Sequence, residues 1–254
     1  MRRAVGGCLS HWLLALGFLA CPSSGQEPEA PAAGPAAAAV LRKARETGAL
    51  SRVLGSRWFE DEADSVVHVK GEALEGGALR FSIEFLPVAA MREERTRLAC
   101  EVGPDGAVRA VESEMVRGAE RVRVSGEVKE GKLTLVADPG GERWESPWPA
   151  EALPLPILVF VLPALCDQEL PPRLAVRVFH GFDRRVEESR GSLRWAREGE
   201  AWRVEMRDLA PGQPGSRVVA EPGTGALREV VIGGMRMKPI TPEDGQSKAG
   251  KRAE

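Results

Sequence analysis

Through the middle of the chain, apolar and charged residues take alternate places. Leu79, Phe81, Ile83 and Phe85 alternate with Arg80, Ser82 and Glu84. Thr96, Leu98, Cys100 and Val102 alternate with Arg97, Ala99 and Glu101, and Val122, Val124 and Val128 with Arg121, Arg123, Glu127 and Lys129. Successive side chains of a strand point to opposite faces, so each stretch predicts a strand with one dry and one wet face. One-sided burial belongs to antiparallel sheets, because parallel strands covered on both faces read as apolar throughout. The pattern predicts a mainly β domain over residues 56–240. Its form is one curved antiparallel sheet or half-barrel of consecutive hairpins, with an N-terminal helix and a mid-chain apolar helix packed on it.

The turns set expected registers. Pro104, Asp105 and Gly106 read as a three-residue loop with glycine at the left-handed position. That loop places Val102 opposite Val108, Glu101 opposite Arg109 and Cys100 opposite Ala110, all compatible pairs. Glu130 and Gly131 read as a second tip, which opposes Lys129 and Lys132. With Glu198 and Gly199 at a third tip, Arg197 meets Glu200 and Trp195 meets Trp202, both indoles on one face. Gly223, Thr224 and Gly225 read as a further hairpin turn, since the third glycine and the helix of a dinucleotide fingerprint are missing.

Other segments break the alternation. Residues 1–25 carry Arg2 and Arg3, then an apolar run from His11 to Ala20, then the small residues Ser23, Ser24 and Gly25. Basic, apolar and small in that order is the pattern of a secretion signal, and the run is shorter than the roughly 20 residues a membrane span needs. Residues 26–35 form a flexible leader. Over 36–55, Val40, Leu41, Ala44, Leu50, Val53 and Leu54 fall at roughly helical spacing, interrupted near Gly48, and predict an amphipathic helix on the sheet. The segment from Leu153 to Leu165 is apolar on every side. It reads as a helix starting after Pro154 or Pro156, ending at Pro163 and covering the concave side, while β-branched Val159 and Val161 leave a buried strand open. Residues 241–254 are polar without period and are expected to be disordered.

Charge and composition narrow the function classes. The formal net charge is −2, and removing Arg2 and Arg3 takes it to −4, since residues 1–25 contain no acid. No basic patch of the kind nucleic acid requires is present. The chain has no Tyr and no Asn, so N-glycosylation is excluded. Cys8 and Cys21 lie in the signal region, leaving Cys100 and Cys166 in the body. An oxidising compartment permits these two to form a disulfide. Phe18, Leu19, Ala20 and Cys21 resemble a lipobox, with Leu19 and Pro22 departing from the usual pattern. Ordinary cleavage near Gly25 is the first reading, and lipidation of Cys21 the second.

The search for chemistry yields little. His68, between Val67 and Val69, is expected on the outer face as a solvated histidine. His180 with Asp183 and Glu187 fits no standard metal set, and Glu60, Asp61, Glu62 and Asp64 read as a solvated acidic run. No Gly-x-Ser-x-Gly elbow occurs. The chain is therefore expected to be no enzyme and to carry no cofactor or metal. The large apolar residues remain, and Phe81, Phe85, Val159, Trp195 and Trp202 are the candidates to line a ligand cavity.

The order of signal, charged hairpins, the segment Leu162, Pro163, Leu165 and Asp167, and the closing Met237 to Ile240 resembles a group of uncharacterised periplasmic antiparallel-β proteins. That group is similar in architecture to the lipoprotein-carrier fold, a strongly curved sheet around a helical lid. The resemblance implies an apolar cavity and transfers no functional residue. Three functions are weighed on this basis. The first is an exported or periplasmic carrier of an apolar ligand such as a lipid or acyl chain. The second is a structural envelope domain with a filled core and a protein partner, and the third, well behind, is a hydrolase. None involves nucleic acid or a transmembrane span in the mature chain.

Overall fold

The computed structural model describes residues 37–62, 65–86, 94–149, 152–154, 156–157, 173–179, 190–207, 216–221, 226–232 and 235–250. The signal-like segment and the leader lie outside them. The alternating stretches form β1 (Gly55–Glu60), β2 (Val66–Ala73), β3 (Leu79–Leu86), β4 (Glu94–Val102), β5 (Val108–Arg117), β6 (Glu120–Lys129), β7 (Lys132–Asp138) and β8 (Arg143–Pro147). A second series follows: β9 (Ala152–Pro154), β10 (Arg173–Phe179), β11 (Arg190–Glu198), β12 (Ala201–Arg207), β13 (Ser216–Ala220), β14 (Leu227–Ile232) and β15 (Met235–Ile240).

These strands join into one 15-stranded sheet that runs from β8 back to β1, across to β15, and back again to β9. Neighbours are antiparallel throughout except β9 with β10. The two series meet where the first strand pairs with the last. β15 makes that junction by dividing its length: Met235 to Met237 pair with β14, and Lys238 to Ile240 pair with β1. Pro239 lies in the half facing β1, opposite Phe59. A proline offers the ladder no N–H, so it is tolerated where one side of the strand is unpaired.

Two registers differ from those expected, each for a local reason. Val102 does face Val108, but a bulge follows, so that Glu101 faces Ala110 and Cys100 faces Val111. Without the bulge, Glu112 and Glu114 would point inward. The extra residue turns them out and brings Val111, Ser113 and Met115 in. At the third tip the loop residues are Gly199 and Glu200, so Glu198 pairs with Ala201, Arg197 with Trp202 and Trp195 with Val204. Gly199 has φ 62, and a two-residue turn that takes glycine first shifts the tip by one residue. Positions 195 and 202 stay on one face, as diagonal rather than direct neighbours. The Lys129 and Lys132 pairing does form, and the Lys132 ammonium pairs with Glu145 of β8 on its other side.

Helices α1 (Ala37–Glu46) and α2 (Ala49–Arg52) flank Gly48, whose φ of 71 makes the break. Leu41, Ala44, Leu50 and Val53 are buried within the same core as the inner sheet residues. Gly71 permits the approach, because a Cβ there would stand 2.9 Å from the Val53 carbonyl oxygen. The Arg45 guanidinium donates to the carbonyls of Gly77 at 2.6 Å and Gly103 at 3.3 Å, which pins the helix across two strand turns.

The apolar segment begins as a strand and turns helical within the expected bounds. Leu153 and Pro154 belong to β9, parallel to β10, and helical backbone begins at Pro156 and Ile157, after Pro154 as expected, with Ile157 fully buried. Its remainder, including Val159 and Cys166, lies outside the described residues. The C-terminal tail departs from expectation, since Pro242–Gly250 forms helix α3. Thr241 caps it, accepting from the Asp244 N–H at 3.1 Å and donating to the Asp244 carboxylate at 2.7 Å. A capping threonine, proline at the first position and acids in the first turn are the signals of a helix start. The helix sits on the outer face of β1, where a Cβ on Gly245 would come 2.4 Å from the Trp58 ring and where Lys248 pairs with Glu60.

A bulky residue at position 245 leaves no room for Trp58 and should lift the helix. For Gly245→Leu, trypsin cleavage after Lys248 is expected to accelerate at least tenfold under native conditions, with the β domain intact. Equal rates in the two proteins would mean that α3 is not held through this contact.

Candidate functional site

The sheet presents two chemically distinct faces. On the inner face the cross-strand pairs stack into rows. One row contains Gly71, Phe81, Cys100, Val111, Gly126 and Leu135, each opposite the next. Gly126 keeps that row packable, because a Cβ there would lie within 2.9 Å of Leu135, Val111 and Leu133 side chains. The next row contains Val69, Ile83, Leu98, Ser113 and Val124, all buried. The third contains Val67, Phe85, Thr96, Met115 and Val122. From Phe85 onward this last row is only half-buried, and Val122 is 38% exposed. Among the described residues the inner face is thus filled beside the helix and less buried toward its opposite end.

The candidate ligand residues divide across this gradient. Phe81, at 2% exposure, is core and lines nothing open. Phe85 begins the half-buried row, and Trp202 packs half-buried against the core. Trp195 is placed only by its register, and Val159 lies outside the described residues. Thr96 and Val122 were placed on the dry face by alternation but not among the ligand candidates, and Met115 was missed because it faces inward only through the bulge after Val108. That phase change is legible in principle: Val108, Val111, Ser113 and Met115 fit one face only if one residue is skipped.

Cys100 is a free, buried thiol in the structure, and its expected partner Cys166 lies outside the described residues. Burial pushes this thiol far above its ordinary range. Buried thiols with that displacement behave as small hydrophobes.

The outer face carries a lattice of charges. Glu84, Arg97, Glu114, Arg123 and Asp138 follow one another across five strands with alternating sign. A second group joins Arg80 to Glu112 at 3.1 Å and Arg123 to Glu112 at 2.9 Å. Partial burial pushes the Glu112 carboxyl up, but Arg123 and Arg80 outweigh it and hold the group below its ordinary value. Glu229 follows the same logic, with burial opposed by Arg217 and Arg236. The acidic run is likewise not merely solvated. Glu60 pairs with Lys248, and the Asp61 carboxylate accepts from the Ser65 N–H at 2.7 Å, closing the turn between β1 and β2.

At one end of this lattice His68 departs from the solvated residue expected. Its imidazole stacks on Trp58 with centroids 3.9 Å apart and planes inclined by 8°. Its Nε2 lies 2.7 Å from the Ser56 hydroxyl, and its Nδ1 lies 3.7 Å from the Glu84 carboxylate. The His68 hydrogen bond is the largest influence lowering the Glu84 carboxyl, with Arg95 and Arg97 assisting against partial burial. Ser56, His68 and Glu84 come from three adjacent strands. They meet because Trp58 faces His68 and His68 faces Glu84 in the pairing register. Among the described residues no group of three metal-ligating side chains is assembled, and no helix is long and apolar enough to cross a membrane.

Two outcomes follow. Carboxyls lowered by folding contribute stability that is complete above the unfolded carboxylate range near about 4.3 and is lost as pH falls through their folded values. The urea midpoint should therefore hold from pH 7 to about 5 and then drop, with a shallower drop in Glu112→Gln; identical acid limbs would remove Glu112 from this role. Iodoacetamide should leave Cys100 unmodified in the native protein at neutral pH and alkylate it fully in denaturant. Native modification, read by peptide mass spectrometry, would show the thiol to be accessible.

Neither a family model nor a curated protein matches this chain. Among solved structures it is similar to a beta-barrel-like protein of domain of unknown function DUF1849 from Brucella abortus. The likeness has 9% identity and a TM-score of 0.47, covering 72% of this chain and 92% of that one. It is a weak likeness of architecture, and no family membership or function follows from it.

Proposed function

We propose that this chain is an exported module of the cell envelope that holds an apolar ligand, a lipid or acyl chain, against the less buried end of its inner face. The observation that carries the reading is the burial gradient, from fully buried Phe81 and Ile83 to half-buried Phe85, Thr96 and Met115 and to Val122 at 38% exposure. A mostly apolar surface left partly exposed offers a site for a partner, because covering it gains about 25 cal/mol for each Å² removed from water. The row carries no ammonium or carboxylate that would demand a charged ligand. Met115 suits a flexible chain, since the thioether adapts its contacts at low cost. Export rests on the basic, apolar and small order of residues 1–25, with Cys21 as the alternative point of lipid attachment. This face is assigned binding and no chemistry.

Purification of the mature protein from its own envelope, followed by native mass spectrometry, is expected to show a co-purifying lipid. A fluorescent fatty acid should bind the delipidated protein, and Met115→Glu should weaken that binding about tenfold or more, a loss of about 1.4 kcal/mol, with little change in melting. Phe81→Leu serves as the contrast: it should lower the melting midpoint and leave affinity nearly unchanged. No probe binding by the parent, or equal affinity in Met115→Glu, would favour the structural envelope domain with a protein partner.

A further inference from the structure

The cluster of Ser56, His68 and Glu84 has no part in apolar binding, because it lies on the opposite face of the sheet. We infer that Ser56 is an activated nucleophile and that this outer face hydrolyses small, sterically open carboxylic esters. The warrant is geometric. A serine hydroxyl is a weak nucleophile until a base accepts its proton, and Nε2 of His68 stands 2.7 Å from it. The base must be held in one orientation, and the indole of Trp58, 3.9 Å away and nearly parallel, fixes the imidazole plane. A carboxylate on the far ring nitrogen selects the tautomer with a proton on Nδ1. Glu84 occupies that position, its carboxylate 3.7 Å from Nδ1.

A developing oxyanion also needs a positive partner. Lys70 is the direct cross-strand neighbour of Ser56, on the same face. Its ammonium is shared with Glu72 at 2.5 Å and remains exposed. Access is open as well, since Ser56 is exposed and β15 pairs with β1 only from Trp58 onward. The flat surroundings limit the substrate to acyl groups that need no enclosing cleft.

The step is acyl transfer. Ser56 Oγ bonds to the ester carbonyl carbon as its proton passes to Nε2, and the oxyanion forms beside Lys70. The tetrahedral species collapses, the C–O bond to the alcohol breaks, and the leaving oxygen takes the proton from Nε2. Water then attacks the acyl-serine with His68 again as base, releasing the carboxylic acid and restoring Ser56. Ester and water become acid and alcohol, with no further reactant. Ser56 and His68 are the catalytic residues, and Glu84 is a positioning residue.

The mature protein is treated with a fluorophosphonate probe and mapped by peptide mass spectrometry, and p-nitrophenyl acetate hydrolysis is followed in parallel. Labelling is expected at Ser56, and Ser56→Ala and His68→Gln should each lower kcat/KM by roughly 100-fold or more. The groups around His68 are Glu84, Arg95 and Arg97 beyond it, Lys70 and Glu72 beside it, and the Glu60 and Lys248 pair across Trp58. Glu84→Gln should lower kcat about tenfold with KM unchanged, a split a merely structural role would not give. Ser56 is exposed, so Ser56→Ala should melt like the parent and keep the fatty-acid affinity of the inner face. Absence of label on the folded parent, or equal rates in the parent and His68→Gln, overturns the inference and leaves the apolar site unaffected.

Discussion

The covalent link between the two edges of the sheet constrains everything else. β8 ends at Pro147 and β9 begins at Ala152, yet these strands stand at opposite ends of the 15-stranded order. An extended chain advances at most about 3.6 Å per residue, so the edges lie within roughly 18 Å of each other. Laid flat, strands spaced about 4.8 Å apart would hold them roughly 67 Å apart. The sheet therefore curls until its edges approach, and a curled sheet acquires an inside. That inside accounts for the alternation of apolar and charged residues, for the helix packed within it, and for glycine at 71 and 126, where any side chain would collide.

What could be read in advance was the part governed by a period. Strands such as β3 and β6 follow from simple alternation, and the helical break at Gly48 and the tip at Glu130 and Gly131 follow from local residue preference. The misread registers both arose at single-residue shifts, where one glycine or one bulged residue changes the phase. Such a shift costs little locally, yet it decides which side of β5 faces the core. Residues 242–250 were misjudged for the reverse reason. Their apolar period is faint, and the helix is stabilised by its cap and by Trp58 from a distant strand.

The candidate sites show the same division. Phe85 was legible because it ends an alternating strand. Met115 was hidden behind the bulge, and Phe81, identical by pattern, turned out to be core because the helix covers its end of the row. Ser56, His68 and Glu84 could not be associated from spacing, since three strands of separate register bring them together. The more exposed charges around them contribute modestly one by one, while Glu114 is buried and is compensated by Arg121. Their alternation across five strands has a different use, because slipping any strand by one residue would send carboxylates and guanidinium groups into the apolar interior.

The junction between β1 and β15 has a consequence for how the chain reaches this form. Hairpins from β1 to β8 join neighbours in sequence and can assemble as each emerges. The pairing of Trp58 with Ile240 joins nearly the first described strand residue to the last, and a loop of that size closes slowly. Until β15 arrives, β1 is an unpaired edge beside an apolar interior, the kind of surface that invites association with other chains. A chain interrupted before Met235 would hold most of its hairpins and lack the strand that joins the two series.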